Sequence, residues 1–230
     1  MIIETNELIL TSADIQALWL TFQLACVTTL CLLIIATPLA WWLSQSRSRW
    51  RAPIESLVAL PIVLPPTVIG FYLLIAFNTN SPIGGAWLAL TGKALAFSFE
   101  GLVIGSMIYS LPFVAQPLQL AFSKIDANHL HAATLMGANS WVRFTAIIFP
   151  LARQGYIGAT VLGFAHTIGE FGLVLMIGGS IPGETQVASI RLFELVEGMQ
   201  YTQAHFIAGI LLILSFTALL FAYKTPLKWR

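Results

Sequence analysis

Charge is what this sequence has least of: Asp, Glu, Lys and Arg together make up 9% of 230 residues, against about a quarter in a soluble domain. With 57% hydrophobic residues and a mean hydropathy of +0.83, the chain falls in the membrane class. A net charge of +1 provides no field for nucleic acid. The two cysteines, Cys26 and Cys31, lie in one apolar run. Without a CxxC or Cys/His cluster they read as packing residues, and no metal site is expected. The only Gly-Lys pair, Gly92-Lys93, is followed by Ala94 and lacks the spaced glycine of GxxxxGK[ST]; the chain cannot cradle ATP phosphates. GxSxG is also missing, which removes the serine-hydrolase signature. An aspartyl mechanism needs two intramembrane carboxylates, and only Glu170 approaches membrane depth in the later spans. The chain is therefore read as a non-enzyme with no catalytic residue and no cofactor. An intramembrane enzyme is the rival class, and a secondary transporter, which would show repeated halves, is a third.

Apolar runs are what the sequence has most of. Five are long enough, or nearly so, for the ~20 residues that cross a bilayer: 15–43, 54–78, 98–122, 142–168 and 204–223. They are continuous rather than alternating, so an all-α membrane protein is expected and not a barrel. The first fourteen residues carry Glu4, Glu7 and Asp14 and no basic residue, so the first run reads as a retained span and not a secretory signal. Prolines 61, 65 and 66 break the second run, and Pro112 and Pro117 the third; inside a bundle neighbours can satisfy the freed backbone groups, so kinks are tolerable there. GLVIG at 101–105 has the small-xxx-small spacing for close helix approach. The stretch 169–203 is left as a possible sixth, short or re-entrant segment, because LVLMIGG at 173–179 is too short to cross.

Basic residues set a direction. Arg47, Arg49 and Arg51 crowd the first loop, Lys124, Arg143 and Arg153 the third, and Lys224, Lys228 and Arg230 the tail. In a five-span chain all of these share one side, and only Lys93 and Arg191 fall on the other. A periplasmic N-terminal segment (1–14), one transmembrane domain (15–223) and a cytoplasmic tail (224–230) follow, in a bacterial inner membrane.

Residues 130–150, LHAATLMGANSWVRFTAIIFP, are half-polar and on the basic side. Asp126 can cap a helix start and Gly137 can end it, about eleven residues or roughly 16 Å. Ser140 can cap a second helix carrying Trp141, Phe144 and Ile148, with a kink at Pro150. Such a segment is either an interfacial helix or a docking helix for a cytoplasmic partner.

Here the chain resembles the permeases of binding-protein-dependent ABC importers. Their loop reads EAA, three residues, Gly, nine residues, Ile-x-Leu-Pro; Ala132, Ala133, Gly137, Ile147 and Pro150 match in register, with His131 in place of Glu and Phe149 in place of Leu. LPIVLPPTVIGFYLL at 60–74, GEFG at 169–172 and IPGET at 181–185 are similar to the molybdate branch of that family, and more loosely to tungstate and sulfate permeases. The resemblance implies a type I importer permease fold with a coupling helix within 126–145. His129, His131, Ala132, Ala133, Leu135, Gly137, Ala138, Trp141 and Arg143 would face the ATPase. Pro61, Pro65, Pro66, Thr67 and Gly70 of the second span, with Gly169, Glu170 and Gly172, would form a pathway or gate. Implied partners are a second copy of the chain, since five spans are too few to surround a pore, two separate ATPase subunits and a periplasmic oxyanion-binding protein. His166 and Glu170, spaced i, i+4, are read as a packed imidazole and a locally hydrogen-bonded carboxyl; Arg191 and Lys93 are candidate partners for Glu170.

Overall fold

The computed structural model describes residues 10–224. Glu4, Glu7, Lys228 and Arg230 lie outside the described residues. Among the described residues the regular elements are all helical: α1 (Ser12–Gln45), α2 (Arg51–Val63), α3 (Pro66–Phe77), α4 (Pro82–Thr91), α5 (Phe99–Ser123), α6 (Ala127–Leu135), α7 (Ser140–Arg143), a π turn (Phe144–Ile148), α8 (Phe149–Leu151), α9 (Arg153–Ile168), α10 (Gly172–Gly178), α11 (Ala188–Glu197) and α12 (Tyr201–Lys224). Helices α1, α5 and α12 are each long and apolar enough to cross a membrane. Two more crossings arise if each of two bent pairs is taken as one span: α2 with α3, bent by 112°, and α7–α8 with α9, bent by 72°.

Only some of the prolines break a helix. Pro61 stays inside α2, and Pro112 and Pro117 stay inside α5. The break falls at Leu64–Pro65 because a residue before proline is pushed out of the α region, and in Leu64-Pro65-Pro66 two successive residues are so placed. Both adopt extended backbone, Leu64 at ψ 138 and Pro65 at ψ 137. The second bend lies at Ala152 rather than at Pro150. Pro150 lacks an N–H and its ring crowds the carbonyl four residues back. The ladder shifts register just before it, with the Phe149 N–H bonding the Phe144 carbonyl in a π turn.

Helices α1, α5 and α9 pack against one another as the centre of the bundle. One apolar cluster, with Leu43, Phe122 and Ile148, lies toward the end that carries α6. A second, with Leu24, Leu102 and Ile177, lies toward the opposite end. Gly105, from the GLVIG stretch, lets α10 approach α5: a Cβ there would stand 2.3 Å from Ile177 Cδ1. Neither α10, with seven residues, nor α11, with ten, is long enough to cross, so 169–203 adds a buried short helix and not a sixth span. On α1 the exposed Trp19 and the half-buried Trp41 are 22 residues apart in sequence, about 33 Å along the axis. That matches the ~30 Å hydrocarbon core with an aromatic residue at each boundary.

The α1 start is fixed by a capping box: Thr11 N–H donates to Asp14 Oδ2 at 2.8 Å, and Thr11 Oγ1 accepts the Asp14 N–H at 3.3 Å. Asp14 is fully buried, and its other oxygen accepts from Arg191 Nε at 2.7 Å. Arg191 thus ties α11 to α1 and is the partner of Asp14, not of Glu170. Helix α11 ends in a Schellman arrangement, Gln200 N–H to Leu195 O at 2.8 Å and Met199 N–H to Val196 O at 3.1 Å. The left-handed position there is occupied by Met199 (φ 56).

Two outcomes follow. Arg191→Met leaves a buried carboxylate without its counter-charge and is expected to cost about 3 kcal/mol. Thermal unfolding of the purified chain measures this, and adding Asp14→Asn should recover part of the loss. Met199→Gly removes the left-handed penalty of about 1 kcal/mol at a well-exposed site, and a rise of about 1–3 °C in the unfolding midpoint is expected.

Candidate functional site

Two groups of residues were singled out in the sequence, and they sit apart. The first is an arm at the end of the bundle where α1 and α5 finish. Asp126 caps α6 as expected, accepting from the Asn128 N–H at 2.9 Å. That bond holds its carboxyl below the ordinary range. Gly137, at φ 82, closes α6, with Ala138 N–H to Ala133 O at 2.9 Å and Gly137 N–H to Thr134 O at 3.0 Å. A residue with a Cβ would be strained at that φ. The cap of α7 is Asn139, whose Oδ1 accepts from the Val142 N–H at 2.9 Å. This corrects Ser140, which is the first helical residue. Asn and Ser cap equally well, and only the chain path decides between them.

No residue of α6 is buried. His129, His131 and Ala132 are exposed, Ala133, Ala138 and Arg143 half-exposed. Leu135, Met136 and Trp141 show 89%, 88% and 72% of their surface. These three large apolar side chains are left open on the arm, at the end of the bundle where Lys124, Arg143 and Arg153 also lie. Met136 was missed in the sequence because it sits at the helix end, outside the apolar stripe. Arg143 staples α7 to α6, donating from Nη1 to Thr134 Oγ1 at 3.0 Å and from Nη2 to Ser140 Oγ at 3.2 Å.

The arm is joined to the bundle by a run of rings. Trp141 to Phe144 is 6.1 Å between centroids, Phe144 to Phe149 6.4 Å, Phe149 to Tyr156 5.0 Å, Tyr156 to Phe122 6.0 Å and Phe122 to Trp41 5.4 Å. This crosses from the arm to α9, α5 and α1. Tyr156 also donates to Thr37 Oγ1 of α1 at 3.2 Å. Aromatic pairs at these distances add stiffness beyond the area they bury.

The second group is partly assembled. Helix α10 lies along α3, and four of the proposed gate residues meet there. A Cβ on Gly172 would touch Pro66 and Thr67, each at 3.3 Å, and one on Gly70 would stand 2.8 Å from Met176 Cβ. The other four are elsewhere. Pro61 is buried on α2, a helix that packs on α5. Pro65 is the exposed cap position of α3, and Gly169 is exposed at the end of α9.

Glu170 is only 4% exposed. Its backbone N–H bonds Thr167 O at 3.3 Å and its carbonyl accepts from Ser189 Oγ at 2.6 Å. Its carboxyl lies beside Ser106 of α5, and the expected local bond is made by the backbone. His166 packs as expected, stacked on Phe113 at 3.9 Å with Nδ1 2.8 Å from Ser110 Oγ. Ser106 and Ser110, one turn apart on α5 and fully buried, were not singled out. Hydroxyls inside an apolar run carry no sequence signal until α9 is packed against them.

Among the described residues no cluster of His, Cys, Asp and Glu could hold a metal ion.

The family pattern described as binding-protein-dependent transport system inner membrane component matches residues 33–225. The molybdenum transport system permease protein of Azotobacter vinelandii is 49% identical over 216 residues, 94% of this chain and 96% of its own. The sulfate transport system permease protein of Escherichia coli (strain K12) is 32% identical over 216 residues, 94% of this chain and 73% of its own. The crystal structure of a bacterial ABC transporter that imports the acidic polysaccharide alginate superimposes with a TM-score of 0.74 at 17% identity, covering 94% of this chain and 79% of that one. The fold is therefore the type I importer permease fold. With its pattern matched over most of its length, the chain belongs to the family of binding-protein-dependent transport system inner membrane components.

Proposed function

We propose that this chain is the membrane-spanning subunit of an ATP-driven importer and forms the translocation pathway for molybdate. One geometric observation carries the subunit reading: α6 has no buried residue, exposes Leu135, Met136 and Trp141 beyond the bundle, and runs through the π turn into α9. A separate motor protein has a handle there, and the ring contacts from Trp141 to Trp41 make that handle part of the bundle. Hydrolysis belongs to that separate ATPase, because this chain has no phosphate-binding loop. The cargo reading rests on the Azotobacter relative. Sulfate is the second reading, favoured by the relative from Escherichia coli; both anions are tetrahedral.

In this reading the arm and the tail are cytoplasmic and the start of α1 is periplasmic. Two copies of the chain enclose the path on a two-fold axis, and a periplasmic protein delivers the anion. ATP-driven closure of two ATPases draws the two arms together, and α9, bent at Ala152, moves with them. The α3–α10 contact at Gly70 and Gly172 is the part of the pathway wall that shifts. Glu170 does not repel the cargo, because it faces the protein interior and not the path.

Two measurements test this. Leu135→Glu places a charge on a fully exposed position, so the bundle is expected to fold while co-purification of the ATPase falls by about 30-fold or more, the loss of one interface anchor of about 2 kcal/mol or more. Undiminished co-purification would remove the docking role from α6. Gly70→Leu wedges α3 from α10, and uptake in reconstituted vesicles is expected to fall about tenfold or more with ATPase association retained. Competition of that uptake by molybdate but not by equimolar sulfate identifies the cargo, and the reverse order assigns sulfate.

A further inference from the structure

A cavity of about 410 Å³ separates the arm from α1; of its lining residues only Arg143 was expected to face the ATPase, and its guanidinium is instead turned to Thr134 and Ser140. Its apolar wall is built by Pro38 and Trp41 of α1 and by Phe144 and Ile148 of the π turn. Leu130 of α6 adds to the apolar side, and the polar lining is Arg143, Ser140 and Thr37 of α1, the Thr37 hydroxyl being already engaged with Leu33 O and Tyr156 Oη. The Arg143 guanidinium donates to two neutral hydroxyls, Thr134 Oγ1 and Ser140 Oγ. Among the described residues no carboxylate lies within ion-pair distance of it. A guanidinium with donors to spare suits a phosphate group, which it can grip in bidentate fashion.

The apolar wall restricts what carries that phosphate. A free oxyanion needs hydrogen-bond donors on every side, and burying it against proline and hydrocarbon is unfavourable. A phosphate attached to an acyl chain meets both walls. The depth also fits, because Trp41 lies about 33 Å along α1 from Trp19, close to the thickness of a hydrocarbon core. Lys124 and Arg153 are at this same end of the bundle, where basic side chains attract anionic lipid. The π turn that Pro150 imposes at Phe144–Ile148 places Phe144 and Ile148 on the cavity wall.

We propose that this cavity binds an anionic phospholipid of the inner leaflet, its phosphate on Arg143 and Ser140 and its first acyl carbons along Pro38, Trp41 and Ile148. The bound lipid wedges between the arm and α1. The proposal rests on the reading above that the arm faces the cytoplasm.

The test uses the assembled transporter, stripped of lipid in detergent and titrated with phosphatidylglycerol or phosphatidylethanolamine of identical chains. Bound lipid is counted by native mass spectrometry. Phosphatidylglycerol is expected to be retained about fivefold over phosphatidylethanolamine, the preference one basic residue confers. Arg143→Gln is expected to erase the preference and Arg143→Lys to keep part of it. Equal retention of the two lipids by the wild type overturns the proposal, and so does an unchanged preference in Arg143→Gln. Displacement of the lipid by millimolar inorganic phosphate or molybdate overturns it too, and assigns a free-oxyanion site instead. If Arg143→Gln fails to assemble, the wild-type and Arg143→Lys preferences and the displacement arm decide. A periplasmic location of the arm, shown by cysteine labelling at residue 129, would remove the leaflet assignment. The lipid count in detergent would be untouched, so the two failures are separable.

Discussion

A polypeptide in hydrocarbon has to satisfy its backbone hydrogen bonds from within, and the shape of this molecule follows from how it meets that demand at its breaks. Lipid has no water to offer a bare N–H or C=O. The chain nevertheless interrupts its helices at Leu64–Pro65, at Ala152 and at Gly169–Phe171. At the first, two prolines remove donors that would otherwise be orphaned at the α3 start, and Pro65 O accepts from the Val68 N–H at 3.0 Å. At the second, the Ala152 N–H bonds Ile148 O at 2.9 Å and its carbonyl accepts from Tyr156 at 3.1 Å. At the third, Ser189 reaches across from α11 to the Glu170 carbonyl. Each break is affordable because a specific group closes it.

The same breaks create the parts that can act. Turning α3 by 112° lays it along α10, and the glycines at 70 and 172 keep those two backbones in contact. Turning the chain at Ala152 by 72° swings α6 and α7 out of the bundle while Phe149 and Tyr156 hold the joint. Were α7–α8 and α9 one straight helix, Trp141 would lie along the span axis and there would be no projecting arm. Phe122, Tyr156 and Trp41, packed ring to ring, tie α5, α9 and α1 together below the arm.

Charge is distributed with similar economy. Asp14 and Arg191 meet at 2.7 Å at one end of the bundle, and this is the ion pair that joins α1 to α11. Glu170 has no such partner, and it is shielded on all sides. Arg143 has hydroxyls but no carboxylate. The buried acid and the uncompensated arginine are therefore at different places, one in the interior beside α11 and one under the arm.

Much of this was legible beforehand. Apolar length alone led to five crossings, of which three are single helices and two more arise only if each bent pair is one span, and the register of Ala132, Ala133, Gly137, Ile147 and Pro150 fell on the arm. Asp126 and Gly137 bounded α6 because capping is a local property of backbone and side chain. The double proline also carried its own break, since the residue before a proline avoids the α region whatever surrounds it. What the tertiary structure alone decided is which partners meet. Pro112 and Pro117 remain in a helix because α1 and α9 enclose it, while Pro65 does not. Arg191 chooses Asp14 over Glu170, residues 177 positions apart in the first case, and sequence spacing says nothing about such distances. Cap, turn and span are short-range and are written in order along the chain; pairing across helices depends on the packing of side chains from distant segments, which exists only once the bundle has closed.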